Sequence, residues 1–374
     1  MQLSPSPLTT PAAFFVRAVI RSDPAFLGFT VAICAVAAIV ASFQYVVFTS
    51  FLDAGAVIPR TVEADFWVKG RSVECFDFPD PINEDIAGTL ARYVPDASFR
   101  RVVFGFATWR SPTGRRSNVA VVGIDDSGLP PTGFAADQSD LARLDIAGDE
   151  SHFAEATIGG ETFHLARTVD NLPTFLGAPY VIVPFEQARS LLRLDPSSAA
   201  FLIGNLKKEA RLDFGALQAE IANDFPEVEL VSTADFEFSS SLYWVKKTGA
   251  GAAILLAAVL ASVLMVILLS NGIARFIQRY QQDLLSLLGH GANERDVSQI
   301  VILVAILIAS VTIIMAFAIT PIVTWLSRPL LPWVFFRAID MWLPLLAILI
   351  ALIVSILTSR KAISAYGPEA VFRS

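Results

Sequence analysis

Four stretches of this chain carry no charged residue: Pro24 to Leu52, Thr248 to Ala274, Val297 to Ser327 and Met341 to Ser359. Each meets or nearly meets the roughly 20 residues that a helix needs to cross the hydrocarbon core of a bilayer. Of the 374 residues, 54% are hydrophobic and only 17% charged, so too little polar surface exists to hide all four runs in a soluble fold. The expected fold class is an α-helical membrane protein with four transmembrane helices and a large mixed α/β extracytoplasmic domain between helices one and two. The expected organisation is an N-terminal segment over 1–25, spans over 26–48, 248–270, 298–325 and 341–358, the domain over 49–247, a cytoplasmic segment over 271–297, an outer loop over 326–340 and a tail over 359–374.

The first run could be mistaken for a secretory signal. Arg17 and Arg21 precede it, and Ala54-Gly55-Ala56 resembles a cleavage site. Its apolar core from Phe26 to Phe48 is, however, far longer than the roughly 7–15 residues of a signal peptide, so a retained helix is expected. Before it, LSPSPLTTP reads as disordered, and Ala12 to Ile20 as a short amphipathic segment at the membrane surface, ended by Asp23-Pro24. Apolar periodicity continues to Val57, so this helix could project as a stalk.

About 200 residues between the first two runs have ordinary globular composition. Strand-like segments occur at Ala64–Val68, Arg101–Ala107, Asn118–Ile124, Thr162–Thr168, Tyr180–Pro184 and Val228–Val231. Ile82–Tyr93, with Ile82, Ile86, Leu90 and Tyr93 on one face, and Ala216–Phe225 read as helices. Ser111 to Asn118 reads as a hairpin turn around Gly114. The expectation is a mixed α/β domain of two lobes, divided near Gly128–Asp140. Helix four is expected to be capped by Asp340, with Pro344 in its first turn.

Basic residues favour termini on the cytoplasmic side of the membrane. Arg17, Arg21, Arg275, Arg279, Arg295, Arg360, Lys361 and Arg373 lie on the inner segments, against Arg328 and Arg337 in the outer loop; Lys246 and Lys247 run counter to this. Trp244, Trp325, Trp333 and Trp342 fall near the outer ends of helices two to four, as an interfacial belt would.

Several function classes are disfavoured. There is no GxxxxGK[ST] phosphate loop, no HExxH and no GxSxG, so ATP hydrolysis, zinc proteolysis and serine-esterase chemistry have no signature. Thr248-Gly249-Ala250-Gly251-Ala252 opens a membrane run and reads as small residues for helix packing. His152 and His164 lack metal-ligand spacing, Asp125-Asp126 reads as a turn, and Cys34 and Cys75 read as unpaired thiols. No cofactor is expected. The net charge of −7 and the lack of a basic stripe give no nucleic-acid partner. No Asp, Glu, His, Lys or Arg lies at mid-depth of any span, which disfavours proton- or ion-coupled carriage. Energy for any movement must then come from a partner.

The segment RYQQDLLSLLGHGANERDV, between the second and third runs, is the most informative. Ile273, Ile277, Tyr280, Leu284, Leu287 and Leu288 follow helical spacing, with Arg275, Gln278, Gln282, Asp283 and Ser286 elsewhere. Gly289 and Gly291 are stop signals, and Asn293 with Asp296 forms a variant capping box. The expectation is helix, tight turn, helix, with an apolar stripe exposed at the membrane surface. A plain connecting loop on lipid is the alternative.

These residues resemble the FtsX/MacB-type, or type VII, ABC transporter permeases. Members carry, between helices two and three, R-x-x-E-[IL]-x-x-L-[RK]-[AT]-[IL]-G-A. Asp283 stands for the Glu, Leu284 and Leu287 hold apolar positions, and Gly291-Ala292 match the closing pair. Arg279 lies one residue too far upstream, Leu288 replaces a basic residue and His290 an apolar one. Gly367 to Arg373 loosely resembles the closing D-P-x-x-A-L-R. A narrower similarity, to DevC-type permeases of cyanobacterial glycolipid exporters, is carried by Ala64–Val68, Ser232–Phe236, Tyr243-Trp244 and Thr248-Gly249.

The resemblance implies a permease subunit, not itself an enzyme, working with a separate ABC ATPase and a second permease copy or paralogue. The ATPase-coupling residues would be Arg279, Gln282, Asp283, Leu284, Leu287, Leu288, Gly289, His290, Gly291 and Arg295. Motion would pass to the outer domain for export or extraction of a lipid, lipoprotein or peptide, in some relatives with a membrane-fusion adaptor. The alternatives are a membrane-anchored regulator acting on an envelope partner without transport, and an outer-face enzyme.

Overall fold

The computed structural model describes residues 11–146, 155–175, 177–207 and 213–365. The N-terminal residues 1–10, His152 and the tail motif lie outside them. By contacts the chain forms two units: 1–49, 252–328 and 334–374 in one, and 50–251 with 329–333 in the other.

The first unit holds four helices long and apolar enough to cross a membrane. A short helix α1 (Pro11–Ser22) precedes α2 (Pro24–Ala54); the other three are α8 (Ala250–Arg279), α10 (Glu294–Ser327) and α11 (Trp342–Ala365), with α9 (Gln281–Gly289) between α8 and α10. All four long helices extend past the expected spans, because helix propensity does not stop where lipid does. At 1.5 Å per residue the 30 residues of α8 measure ~45 Å, against a hydrocarbon core of ~30 Å. Pro321 lies inside α10. Asp340 does not cap α11. It sits in a 3-10 turn, Ala338–Met341, where its carboxylate accepts from Arg337 at 3.0 Å.

The second unit is built on a nine-stranded mixed sheet. After α3 (Val57–Thr61), the chain forms β1 (Phe66–Gly70), β2 (Ile82–Asn83), α4 (Ile86–Tyr93), β3 (Ala97–Arg110), β4 (Arg116–Ile124) and β5 (Gly133–Asp137). Then come β6 (Glu155–Ile158), β7 (Glu161–Val169), β8 (Tyr180–Pro184), α5 (Phe185–Leu191), β9 (Ser198–Ala199), β10 (Phe201–Leu206), α6 (Phe214–Asp224), β11 (Val228–Ser232) and α7 (Thr233–Lys246). The strand order is β11-β1-β10-β3-β4-β8-β5-β7-β6, and β6 also pairs with the far end of β3, at Trp109↔Ile158. The sheet therefore closes on itself through β3, which joins β10 at its start and β6 at its end.

Both faces of the central strands are buried, which is why they read as apolar runs rather than alternations. Phe66, Val68, Val119, Val121, Val181 and Val183 enter one core, covered by Ile86 and Leu90 of α4 and Leu217 and Ile221 of α6. Their neighbours Trp67, Ala120, Val122 and Tyr180 enter the other, covered by Val57 and Ile58 of α3 and Phe236 of α7. The helices that follow α2 and precede α8 thus cover the same face.

Three expectations need correcting. The chain does not divide near Gly128–Asp140, since β5 lies there, fully buried and paired on both sides. Ile82–Tyr93 is not one helix. Ile82 pairs with Ala199 in a small second sheet, and Tyr93 is exposed, its hydroxyl donating to Asp224 at 3.0 Å. The hairpin turn is shorter than expected, closing at Arg110↔Arg116, with Gly114 at φ +90°. Asp126, at φ 52°, occupies the turn expected of Asp125-Asp126.

The edge strand β11 is finished by a side chain. The Gln218 amide of α6 accepts from Leu230 N–H at 2.6 Å and donates to the Val228 carbonyl at 3.3 Å.

Candidate functional site

The helix–turn–helix forms as the sequence implies, with a break. Backbone at Tyr280 leaves helical values (φ −103°, ψ 19°), which separates α8 from α9. Gly291, at φ +95°, ends α9: its N–H donates to Leu288 O and that of Ala292 to Leu287 O, both at 3.1 Å. This is the Schellman arrangement, and glycine fills its left-handed position without strain. Gly289 lies within the last turn of α9 instead. The Asp296 carboxylate accepts from Asn293 N–H at 2.9 Å, fixing the start of α10.

The apolar stripe is not exposed. Ile273, Phe276, Ile277, Tyr280 and Leu284 are buried in the same cluster as Val297, Ile300 and Val301 of α10, and Leu287 and Leu288 pack against it. The stripe has its partners within the chain: α10, and α1, whose Ala12, Phe15, Val16 and Val19 join the cluster. What remains exposed is polar: Arg279, Gln282, Asp283, Gly289, His290, Gly291 and Arg295, with Ser286 and Glu294 beside them. The His290 ring is held by its Nδ1, 2.7 Å from Ser286 O. Of the ten candidate residues, then, three leucines shape the segment and seven face outward.

Asp23, read from the sequence only as the end of the amphipathic segment, packs against this segment. It lies between α1 and α2, where its carboxylate accepts from Phe26 N–H at 3.3 Å. It also accepts from Arg279 at 2.6 Å and from the Tyr280 hydroxyl at 3.4 Å. Partial burial pushes the Asp23 carboxyl upward, but the hydrogen bond and charge of Arg279 outweigh it, and it settles below its ordinary range. The Arg279 guanidinium lies 5.0 Å from the Phe26 ring centroid, and Tyr280 meets Phe15 and Phe26 edge-on at 6.3 and 6.4 Å. The elbow between α1 and α2 is therefore fastened to the residue at which α8 breaks.

The domain unit has its own cluster. Rings of Phe51, Phe175, Trp244 and Trp333 interlock, with centroids 5.1 Å apart for Phe175–Trp244 and 5.7 Å for Phe51–Trp333. Phe78 and Tyr243 extend it. Trp244 lies so close to Gly55 that a Cβ there would come within 2.6 Å of the indole. Arg60 of α3 is paired with Glu237 of α7 at 3.4 Å. Trp244 and Trp333 are thus packed among rings of the domain unit, whereas Trp325 and Trp342 are exposed. Beside them, Asp77 is buried. Its carboxylate accepts from the Tyr180 hydroxyl at 3.3 Å and faces the Cys75 thiol at 3.5 Å. Loss of water raises it to about 6. Cys34 and Cys75 are both free and buried, and His164 is half-buried beside Glu155.

No protein-family profile and no curated protein sequence matches the chain. Among solved structures, 47% of the chain is similar to 92% of the periplasmic region of MacB from Actinobacillus actinomycetemcomitans, at 9% identity and a TM-score of 0.37. A further similarity, over 45% of the chain, is to 99% of the extracellular domain of the noncanonic ABC-type transporter YknZ from Gram-positive bacteria, at 11% identity and a TM-score of 0.33.

Proposed function

We propose that this chain is the permease subunit of an ABC-type transporter. In this reading a separate ATPase docks on the exposed residues of the segment from Arg279 to Arg295, and two permease copies, or one and a paralogue, share the ATPase dimer. The observation that carries the reading is the run of α8: one unbroken helix of 30 residues begins at the edge of the domain unit and ends at a hinged helix–turn–helix. A push on α9 has a rigid path along α8. ATP binding would need to supply a few kcal/mol of differential affinity to shift such a two-state element. The domain would pass the motion to a lipid, lipoprotein or peptide outside the membrane, with an adaptor in some assemblies, the chain sitting in a bacterial inner membrane with both termini cytoplasmic.

Burial of the stripe moves the docking contacts to its rim. Asp283 and His290 are the discriminating residues, and Leu287 is a folding control. The test is copurification in mild detergent. Wild type should retain an ATPase, Asp283→Arg with His290→Glu should lose it, and both proteins should remain folded. Should no nucleotide-binding subunit accompany wild type, the chain is better read as a membrane-anchored regulator of an envelope partner.

A further inference from the structure

Helix α1 has two unlike sides. At 3.6 residues per turn, Ala12, Phe15, Val16 and Val19 fall together, and these pack into the helix cluster. Phe14, Arg17, Ala18 and Arg21 fall opposite, and all four are exposed, Phe14 to 78%. No acidic residue occurs from Pro11 to Ser22. The nearest, Asp23, is engaged by Arg279. Only that one residue separates α1 from α2, the first apolar span. A single residue spans ~3.8 Å, so α1 cannot leave the level at which the hydrocarbon run begins. An aromatic ring and two guanidinium groups on one face, fixed at that level, suit a boundary of acyl chains and anionic headgroups.

We propose that the Phe14–Arg17–Arg21 face of α1 binds anionic lipid headgroups at the bilayer surface, and that this docking steadies the coupling segment through the Asp23–Arg279 pair. Its second half rests on the reading of Arg279–Arg295 as a coupling segment; its first half does not. A lipid held on the outer side of α1 resists motion of the elbow. The elbow is fastened to Arg279 and Tyr280, so α9 inherits that resistance. The coupling segment would then move less freely in a membrane rich in anionic lipid than in a zwitterionic one.

The full-length chain, without any ATPase, is placed in nanodiscs of phosphatidylcholine alone or mixed with phosphatidylglycerol. Amide hydrogen exchange is followed over residues 276–290, and bound phosphatidylglycerol is counted by native mass spectrometry. Phosphatidylglycerol should slow exchange there on the order of fivefold, about what one arginine near an anionic surface contributes. Arg17→Gln with Arg21→Gln should abolish both the bound lipid and the slowing, and R17K with R21K should restore them. Asp23→Asn should keep the bound lipid and lose the slowing. Unchanged exchange across strands β1 to β4 shows that each variant is folded. Equal exchange in the two lipids, a response surviving in the Gln double variant, or slowing retained by Asp23→Asn overturns the proposal. So does equal slowing by inorganic phosphate in phosphatidylcholine discs, which marks a simple anion site. Because no ATPase is present, failure here leaves the transporter reading standing, and failed copurification leaves this one standing.

Discussion

The elbow at Asp23 and the ring cluster at Trp244 both use aromatic rings, and they differ in charge, since the elbow centres on an ion pair and the cluster on rings alone. The ion pair's side chains are 20% and 54% exposed, flanked by the edge-on contacts of Tyr280 with Phe15 and Phe26. Solvent screens such a pair, which leaves it little net worth. The ring cluster is closed by at least four interlocked aromatic side chains and a glycine that lets an indole lie against the backbone. Each aromatic pair adds about 0.5–1.5 kcal/mol beyond the apolar area it buries. The screened pair makes the elbow the more compliant joint, and the packed rings make the cluster the stiffer one.

The comparison breaks first at the stiff joint. Trp244→Ala should lower stability by about 3 kcal/mol, read as a fall in the thermal midpoint of the purified protein. Gly55→Val should approach that loss by displacing the same indole. If either is neutral, the ring cluster is not a joint. Next comes Asp77, which adjoins the rings and is faced by the Cys75 thiol, the Tyr180 hydroxyl and the Trp244 indole. Its folded-state value is about 6 against an ordinary 3.8. The stabilisation that goes with keeping its proton is present in full below the ordinary value and is lost as pH rises through about 6. Asp77→Asn should therefore stabilise by about 1–3 kcal/mol above neutral pH and by almost nothing near pH 4, measured as the pH profile of the thermal midpoint.

Gly291→Ala should cost about 1 kcal/mol, by forcing a side chain into the left-handed region, and should show as faster exchange at the end of α9. Asp23→Asn should be the mildest for global stability, below the loss from Gly291→Ala. Its effect should be confined to faster exchange around Tyr280. A global loss as large as that of Trp244→Ala would erase the contrast between the joints.

Much of this architecture was legible from residues alone. Charge-free runs do not hide, and strand-like segments on either side of the turn chemistry around Gly114 marked β3 and β4. Regular spacing also marked α9 and its stop at Gly291. Other parts left weak local signals. β10, Phe201 to Leu206, is a short apolar run whose two faces enter different cores, so it shows neither strand nor helix periodicity. β5 is rich in alanine and glycine and lies among turn residues, so it reads as a linker. The stripe on α9 was correctly found but wrongly exposed, because amphipathicity tells which side is covered and not by what. Its cover combines α10, which follows it, with α1, which lies more than 250 positions upstream. For the same reason Asp23 read only as the end of the amphipathic segment: its partner Arg279 is 256 residues away, and no pattern within a window joins them.

Gln218 sets a limit on how the domain can be approached. A sheet grows by backbone pairing wherever an edge offers unpaired amides and carbonyls. One end of this sheet returns onto β3, and at the other the Gln218 amide occupies the Leu230 N–H and the Val228 carbonyl as a neighbouring strand would. An extended peptide arriving at β11 would first have to displace that amide. Recognition by the domain is thereby steered toward side-chain surfaces, where a partner is read by shape and charge rather than by the backbone that every chain shares.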